Sequence, residues 1–421
     1  MSLGCAFNAL WGANSASNLA DGLAFVSMPL LAASLTDDPR WVAGLATVYA
    51  LVRLLAALPV GVWVDRADRR LVLVSANLLR GTAVATLALC VHFGIGGLLL
   101  VYAAFAVVGT LESAADNAAV SLVPGLVGPG DLDRANSRIS ASQLVADEFA
   151  GPPLGGLLFA LAASAPLFAM GGLWAVAGVL ALALPPRAAP DSTAGPDRTA
   201  APDRIAVPGS TVWRDAMAGA HWLVRHRLVG GLALIGALAS TGYMLAFSIL
   251  VLFAQQQLGV DGAGYGIILA VSAAGGLIAS YATPRMSAWF GYRWTISAAL
   301  AIGAGSLLVL AVTHNASAAA LLLAAYIFHA VVWGICATSL RQRLVPDGLR
   351  GRVNAASRVL GLLGLALGSA AGGALAVVNV ALPVAAGGMV FLICAAAAVY
   401  LLRNAGAGTG RAGTPPALNR T

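Results

Sequence analysis

A short charged turn at residues 61–70, between two long apolar segments, is the feature that most constrains the fold. The segments Trp41–Val64 and Leu71–His92 each carry one arginine and no acidic residue. About 20 apolar residues are enough to cross the hydrocarbon core of a bilayer, so both segments are long enough to span a membrane. The turn between them therefore lies at a membrane surface. Its five charged side chains are those of Asp65, Arg66, Asp68, Arg69 and Arg70.

The arginines also predict how the chain is oriented. Short loops rich in Lys and Arg stay on the cytoplasmic side of a membrane, and this turn has three arginines against two aspartates. With the turn inside, one of the 24 basic residues, Arg40, falls in an outer loop, two fall within apolar segments, and the other twenty-one fall on the inner side. This distribution predicts that both termini are cytoplasmic.

The composition indicates the class of protein. Of the 421 residues, 59% are apolar and 10% are charged, and the mean hydropathy is +0.86. Soluble domains carry about 25% charged residues, so the composition predicts a polytopic membrane protein. The net charge of +7 does not indicate a nucleic-acid partner, because the arginines lie at the ends of apolar segments, where orientation and contact with acidic membrane lipid account for them. We expect the first apolar segment to act as an uncleaved insertion signal.

Apolar segments bounded by charged residues, glycine and proline predict twelve membrane-spanning helices, because segments of this length without alternating polarity are helical in lipid. The first six are Phe7–Leu35, Trp41–Val64, Leu71–His92, Leu98–Val123, Ile139–Ala162 and Ala165–Leu184. The other six are Leu228–Leu258, Gly264–Pro284, Trp294–Val312, Ala316–Leu340, Ala355–Val377 and Pro383–Leu402.

This pattern divides the chain into four parts. Residues 1–184 and 228–403 are each predicted to form a six-helix bundle, so the fold class is all-α. Residues 185–227 are predicted to form a cytoplasmic linker that is rich in Pro, Ala, Asp and Arg at first and ends in an amphipathic helix at the membrane interface. Residues 404–421 are predicted to form a disordered cytoplasmic tail. The apolar residues of the interfacial helix are Trp213, Met217, Trp222 and Val224.

The two predicted bundles contain related sequences. Leu-Val-Pro follows the fourth span at residues 122–124 and the tenth span at residues 344–346. Ala-Asn-Ser-Arg then occurs at 135–138, and Asn-Ala-Ala-Ser-Arg at 354–358. The offset is about 220 residues, roughly half the chain. An internal repeat in the same topological position predicts two pseudo-symmetric halves.

Two short motifs carry a family resemblance. The turn follows the pattern Gly-x-Leu-x-Asp-Arg-x-Gly-Arg-Arg, with Trp63 and Asp68 as its departures, and the fifth span follows the pattern Gly-Pro-x-x-Gly-Gly. The matching residues are Gly61, Asp65, Arg66, Arg69 and Arg70 in the turn, and Gly151, Pro152, Gly155 and Gly156 in the fifth span. These motifs resemble those of the major facilitator superfamily, although Ser142 stands where its antiporter motif usually has glycine. The repeated Leu-Val-Pro sequence resembles the branch of the enterobactin exporter and macrolide-efflux proteins.

The resemblance implies a transporter of the bacterial inner membrane whose two bundles open a central cavity alternately to either side. It implies export of a small amphipathic or hydrophobic compound (a drug, natural product or siderophore) in exchange for protons, with no cofactor besides the proton gradient. It also implies a monomer surrounded by membrane lipid. A proton-coupled importer of the same fold is the alternative. The sequence shows no convergent catalytic cluster and no metal-ligand spacing, so we do not expect an enzyme.

The motif residues are candidates for gating. Glycine and proline in the fifth span allow close approach and local bending, which fits either a helix that moves during transport or a static packing contact. Gly364, Gly368 and Gly372 give the eleventh span a similar face. We interpret Asp65 as a latch that docks on a helix N-terminus of the other bundle. For Arg69 and Arg70 we favour simple anchoring at the cytoplasmic surface.

Charged residues inside the spans are candidates for proton coupling. A carboxylate at this depth costs a few kcal/mol, so it is paired, protonated or faces a watery cavity. Glu112 and Asp116 lie four residues apart on one helical face, and we expect Arg80 to pair with one of them. Asp21 is the preferred proton-binding residue, and a static network of ion pairs is the alternative for the cluster. The coupling candidates are Asp21, Arg80, Glu112, Asp116, Asp147 and Glu148.

Polar and aromatic residues within the spans are candidates for the wall of a substrate cavity. His329 is the only histidine deep in a span. Most aromatic residues in such a chain pack in the core or lie at the membrane interface, so the set is a hypothesis about a shared wall. The candidates are Asn18, Phe25, Arg53, Tyr243, Phe247, Tyr326 and His329.

Overall fold

The computed structural model describes residues 3–185, 212–346 and 349–403, which are almost entirely helical. Residues 186–211 of the predicted linker and the predicted tail at 404–421 lie outside the described residues. Side chains are not described at a few helical positions, including residues 57–66. The side chains of Asp65, Arg66 and Glu148, and the surroundings of Gly61, are therefore not described.

The N-terminal half of the chain forms seven helices, α1 to α7. They are α1 Cys5–Leu35, α2 Pro39–Arg66, α3 Arg69–His92, α4 Leu98–Leu126, α5 Leu132–Leu144, α6 Gly151–Leu161 and α7 Ala165–Leu182. A 3₁₀ turn at Pro129–Asp131 precedes α5, and a π-helical turn at Val145–Ala150 joins α5 to α6.

The described residues of the C-terminal half, 212–346 and 349–403, also form seven helices, α8 to α14. They are α8 Val212–Arg225, α9 Arg227–Phe247, α10 Leu250–Gln256, α11 Gly262–Ala311, α12 Ala316–Leu344, α13 Arg350–Ala376 and α14 Ala381–Leu402. Within the described residues, ten helical stretches are long and apolar enough to cross a membrane, as judged by length and composition. The fold is thus that of an all-α, multi-pass membrane protein.

Polar side chains cap the N-termini of several of these helices. The Asp68 carboxylate accepts a hydrogen bond of 2.9 Å from the backbone N–H of Arg70 at the start of α3. Asp261 accepts one of 2.8 Å from Gly264 at the start of α11, and Asn315 begins α12 in the same way. The first N–H groups of a helix have no partner inside it, so such caps define where each helix starts.

The predicted eighth and ninth spans belong to one continuous helical stretch, α11, which reverses direction at Gly291. Gly291 has φ of 71°, in the left-handed region that favours glycine. The Thr295 hydroxyl donates to the Met286 carbonyl across 3.2 Å, although residues nine apart in a straight helix are about 13.5 Å apart. The stretch therefore folds back on itself, and its two arms are the two predicted spans.

The predicted fifth span, Ile139–Ala162, is interrupted rather than regular. The π-helical turn at Val145–Ala150 comes immediately before Pro152 and Pro153 in the first turn of α6. Proline has no N–H to donate to the preceding turn, and it is tolerated at the first positions of a helix. Because π-helical turns often occur at functional sites, residues 145–150 are candidates for a functional site.

Small residues set the distance between α13 and α9. A Cβ atom added to Gly364, Gly368 or Gly372 would lie 2.3, 2.4 or 2.7 Å from a backbone carbonyl oxygen of α9. The spacing of four residues places all three glycines on one helix face. This face of the eleventh span is therefore a close contact inside the C-terminal half.

Helix α8 lies at the end of the predicted linker. Its Gly219 packs against the backbone of Arg352 at the start of α13, and Leu223 is buried. Met217 and Val224 of the predicted apolar face are exposed on the outside of the molecule. The helix therefore uses one side for packing and leaves apolar side chains on another.

Candidate functional site

A cavity of about 510 Å³ lies between the two halves of the chain. Its N-terminal wall comes from α1 and from the interrupted fifth span, and its C-terminal wall comes mainly from α9, α11 and α12. Ligand pockets of small molecules have volumes in this range. The N-terminal wall is formed by Asp21, Gly22, Phe25, Leu144, Asp147, Phe149 and Pro152. The polar and aromatic residues of the other wall are Ser240, Tyr243, Phe247, Tyr326, His329, Trp333 and Phe391.

The structure places most of the predicted cavity residues in these walls. Phe25 lies on the N-terminal side, and Tyr243, Phe247, Tyr326 and His329 lie on the other. The remaining two predicted residues take other positions. Asn18 is buried on α1, and Arg53 is engaged in an ion pair on α2.

The aromatic residues of the C-terminal wall form one connected cluster. The ring centroid of Tyr326 lies 5.1 Å from that of Phe247 and 6.3 Å from that of Tyr243. His329 contacts Tyr326 at 4.5 Å and Phe391 at 4.8 Å, edge to face in both cases. The imidazole fits because Gly303 on α11 has no side chain, and a Cβ there would lie 2.6 Å from the ring.

The acidic side of the cavity is built around an ion pair between Asp21 and Arg80. The Arg80 guanidinium donates to the Asp21 carboxylate, donates to Ser17 across 3.1 Å, and stacks over the Trp174 ring at 4.4 Å. The Arg80 side chain is fully buried, whereas that of Asp21 is 16% exposed. The expectation that Arg80 pairs with Glu112 or Asp116 was wrong: depth in the membrane does not determine which neighbouring helix a residue faces, and Arg80 faces α1.

Glu112 is paired with residues of α2 instead. Arg53 donates to its carboxylate across 2.7 Å and to the Tyr49 hydroxyl across 3.0 Å, and that hydroxyl also contacts Glu112. Tyr49 is held by stacking on Phe105 at 4.7 Å. These groups lie behind the cavity wall rather than on it. The charges nearest in effect to Asp116, one turn after Glu112, are Glu112 itself, Arg53 and Arg80, followed by Arg358 of α13.

The π-helical turn brings Asp147 to the cavity surface next to Asp21. The backbone of the fifth span lies unusually close to α1 here, since a Cβ on Gly22 would fall 2.6 Å from the Ala146 carbonyl oxygen. Gly155 also packs on α1, whereas Gly156 faces α11, where its Cβ would lie 2.8 Å from the Cα of Gly266. The glycine-proline motif therefore contacts both halves of the chain.

The described residues of the charged turn hold helix ends together. Arg69 donates to the carbonyl of Ser121 across 3.0 Å, and Arg70 donates to the carbonyl of Leu182. Leu182 is the last residue of α7, where a helix has unpaired carbonyl groups and a partial negative charge, whereas Ser121 lies five residues before the end of α4. Anchoring at the membrane surface is thus not the whole role of these arginines, which also join three helices of the N-terminal half.

Several contacts between the two halves gather at the end of the molecule opposite to the start of α1. The Thr47 and Ser369 hydroxyls are 2.8 Å apart and share a hydrogen bond between α2 and α13. A Cβ on Gly373 would lie 2.8 Å from the Cβ of Ala43. The contact of Gly156 with Gly266 lies at the same end.

Sequence reasoning missed some of the residues that build the site. Tyr49 lies four residues before Arg53, and this spacing indicates a shared helix face. Trp174, Thr47 and Ser369 carry no such local signal, because their partners lie on distant helices. Among the described residues, no group of three or more His, Cys, Asp or Glu side chains is arranged to hold a metal ion.

Comparison with known proteins gives a family and a fold. A model of the Major Facilitator Superfamily matches residues 10–356. No curated protein matches the sequence. The structure is similar to that of a bacterial homologue of the iron transporter ferroportin in an inward-facing state, with a TM-score of 0.70, 17% identity, and coverage of 95% of this chain and 99% of that chain.

Two further solved structures are similar. One is a bacterial homologue of the human lysosomal transporter Spinster, inward-facing and unoccupied, with a TM-score of 0.71, 14% identity and coverage of 98% of both chains. The other is a bacterial metal transporter, with a TM-score of 0.65, 18% identity, and coverage of 95% of this chain and 99% of that chain. At these identities the likeness shows a common fold.

Proposed function

This chain belongs to the major facilitator superfamily, and from this premise we propose that it is a secondary active transporter that exports a small amphipathic or hydrophobic compound in exchange for protons. Membership of the family indicates membrane transport rather than enzymatic catalysis. The direction of transport, the coupling to protons and the class of compound are the proposed parts. A drug, natural product or siderophore fits the size of the cavity and its largely apolar lining.

The proposed topology has twelve crossings in two six-helix bundles. Ten described stretches qualify by length and composition. The 28-residue α2 adds one more, and the reversal of α11 at Gly291 gives two crossings in place of one, which brings the total to twelve. The bundles are residues 1–184 and 228–403. The positive-inside rule places the arginine-rich end and both termini in the cytoplasm of a bacterial inner membrane.

With this orientation we propose that the cavity is closed on its outer side, as in an inward-facing state. The contacts of Thr47 with Ser369, Gly156 with Gly266, and Gly373 with Ala43 then lie on the outer side and keep the cavity closed there. Transport by alternating access requires these contacts to open. Asp65, Arg66 and Gly61 of the charged turn are proposed to act at the opposite, cytoplasmic end, with Asp65 as the latch of the outward-facing state.

The observation that carries the proposal is the ion pair of Asp21 with Arg80 in the cavity wall. Protonation of Asp21 removes its charge and weakens its attraction to the buried guanidinium. Because Asp21 is part of the cavity wall, binding of a substrate in the cavity and binding of a proton to Asp21 affect each other. Asp147 shares that surface, and Glu148 follows it in the chain. Glu112 and its partners Arg53 and Tyr49 lie behind the wall, which favours the static alternative for that pair.

Transport in oriented membrane vesicles tests the proposal. Antibiotics, siderophores or fluorescent dyes are added to the medium outside inside-out vesicles whose lumen is acidic. An antiporter accumulates its substrate in their lumen, and dissipation of the proton gradient by an uncoupler abolishes the accumulation. An importer coupled to protons instead accumulates its substrate in right-side-out vesicles with acid outside. Accumulation that is the same with and without a proton gradient, in both vesicle preparations, would contradict proton coupling.

A further inference from the structure

A second pocket, of about 640 Å³, lies between the last turns of α12 and the first turns of α13. Ser339 and Arg343 lie four residues apart on α12, and Arg350 and Asn354 lie four residues apart on α13, so each pair shares one face of its helix. Gln342 completes the described lining. Two polar helix faces therefore meet at this pocket, which is separate from the central cavity.

The lining is rich in hydrogen-bond donors. Each guanidinium carries five N–H groups, each side-chain amide carries two, and the hydroxyl carries one. The described lining contains no carboxylate. The positive-inside rule accounts for arginines at a helix end, but it does not account for the uncharged Ser339, Gln342 and Asn354 beside them. Donors of this kind around an arginine match the oxygen atoms of a phosphate group.

The charge around the pocket stays positive when every nearby acidic residue of the sequence is counted. Residues 284–403 include eight arginines and a single carboxylate, that of Asp347. Arg350 also interacts within the protein, so we assign the whole charge of Asp347 to it. Arg343 forms no ion pair with a described residue. Its guanidinium lies 5.4 Å from the centre of the Tyr292 ring, a contact that leaves its positive charge in place.

The position of the pocket favours a membrane lipid as the source of the phosphate. Helix ends rich in arginine lie at the cytoplasmic surface of a membrane, and basic pockets between membrane-spanning helices on that side bind the headgroups of acidic lipids. Pockets for whole small ligands have volumes of about 300–1,000 Å³. A pocket of about 640 Å³ therefore has room for the glycerol and phosphate groups of a headgroup.

We propose that the pocket between α12 and α13 binds a phosphate group, with Arg343 as its principal charged contact, and that an acidic phospholipid supplies it. A soluble phosphate monoester has the same recognition chemistry, and the experiment below distinguishes the two sources. The inference depends on neither the substrate nor the direction of transport.

Native mass spectrometry and equilibrium dialysis of the purified full-length protein test the proposal. Delipidated protein in a neutral detergent is incubated with equimolar phosphatidylglycerol and phosphatidylcholine, whose headgroups both contain phosphate and differ in net charge. We expect about tenfold more protein to retain one phosphatidylglycerol than one phosphatidylcholine. Dialysis against radiolabelled inorganic phosphate and glycerol 3-phosphate measures binding of soluble phosphates.

Four variants locate the binding. Arg343→Gln is expected to weaken it about tenfold, and Arg343→Lys, which keeps the charge without the planar fork, is expected to weaken it less. Asn354→Ala removes an uncharged donor and is expected to weaken binding about threefold. Arg403→Gln is the control, because it removes the same charge from an exposed position outside the pocket, and it is expected to change nothing. Size-exclusion chromatography shows whether each variant is folded.

Each outcome decides one part of the proposal. Binding of soluble phosphates that depends on Arg343, without a preference for phosphatidylglycerol, would retain the phosphate site and refute the lipid source. Equal losses in Arg343→Gln and Arg403→Gln, with Asn354→Ala unchanged, would show a general attraction of anions to a basic surface and overturn the site. Absence of binding in both assays would also overturn it.

Discussion

Gly22 of α1 and Gly151 of α6 are in backbone contact: a Cβ atom added to Gly151 would lie 2.5 Å from the Cα of Gly22. Real Cβ atoms do not approach a neighbouring backbone so closely, so only glycine allows the two helices to meet here. The contact lies beside Asp21 and Asp147. It therefore sets the distance between two of the carboxylates that face the cavity.

We expect Gly151→Ala to destabilise the protein by about 1–3 kcal/mol, because the added methyl group overpacks a contact between two backbones. The separation of α1 and α6 would also increase, so transport should fall more than the stability change alone explains. Thermal unfolding in detergent and the vesicle assay measure the two effects. Gly172→Ala is the control, since a Cβ there meets nothing within 4 Å. Equal behaviour of the two variants would contradict this account.

We expect Asp21→Asn to lower stability by about 3 kcal/mol as well as to abolish proton-driven transport, because it leaves the buried Arg80 charge without its carboxylate. The double variant Asp21→Asn with Arg80→Gln removes both charges, and it should recover part of the lost stability but no transport.

A double-mutant cycle on the unfolding midpoints checks this expectation. The single variant Arg80→Gln supplies the fourth corner of the cycle. Additive effects of the two substitutions would show that the pair does not interact energetically. Recovery of proton-driven transport in the double variant would exclude Asp21 as the proton-binding residue.

Tyr49→Phe removes a hydroxyl that contacts Glu112 and accepts from Arg53, while its ring can still stack on Phe105. Hydrogen bonds to charged groups contribute about 1.5–3 kcal/mol, so we expect a loss of stability of this size with transport largely retained. Thermal unfolding and vesicle transport are compared with those of Tyr400→Phe, whose ring is exposed. A complete loss of transport in a stable Tyr49→Phe variant would instead assign the Glu112 group to proton coupling.

The positions of the helices could be predicted from the sequence because the bilayer imposes a length and a polarity on each one. Predicted spans such as Leu71–His92 and Leu98–Val123 differ from α3 and α4 by only a few residues at their ends. The reversal at Gly291 was predicted as a turn between spans, but not as a single residue within a helical stretch. The local pattern of charged residues, glycine and proline is enough to predict where each helix begins and ends to within a few residues.

The pairing of side chains could not be predicted to the same extent. Arg80 and Asp21 are 59 residues apart in the chain, and the rotation of α3 that brings them together depends on Gly81 packing against Gly171 of α7. Such rotations result from packing among several helices. The position of Arg80 along its helix does not determine its partner. The direction in which its side chain leaves α3 does, and the sequence does not predict that direction.

Gly291→Ala tests the reversal of α11. With φ of 71° and ψ of 165°, Gly291 has a backbone conformation that essentially only glycine adopts, and a residue with a Cβ atom there costs about 1–3 kcal/mol, so we expect a loss of stability of that size. The matched control is Gly305→Ala in the second arm of α11, where a Cβ meets nothing within 4 Å and alanine favours the helix. Unfolding midpoints of the two variants should shift in opposite directions. A stabilised Gly291→Ala would contradict the positive φ at this residue.

A reversible cross-link between Thr47 and Ser369 tests whether the outer contact opens during transport. Their hydroxyl oxygens are 2.8 Å apart, so cysteines at both positions bring two sulfur atoms within reach of a disulfide of about 2.05 Å. The background carries Cys5→Ser and Cys90→Ala, which remove the two cysteines that are not buried. Oxidation should arrest transport and reduction should restore it, because the bond ties α2 to α13. Each single cysteine variant is the control and should be insensitive to oxidant. Full transport in a protein whose cross-link is shown complete by peptide mass spectrometry would mean that this end of the molecule stays closed throughout the cycle, and alternating access about this contact would have to be given up.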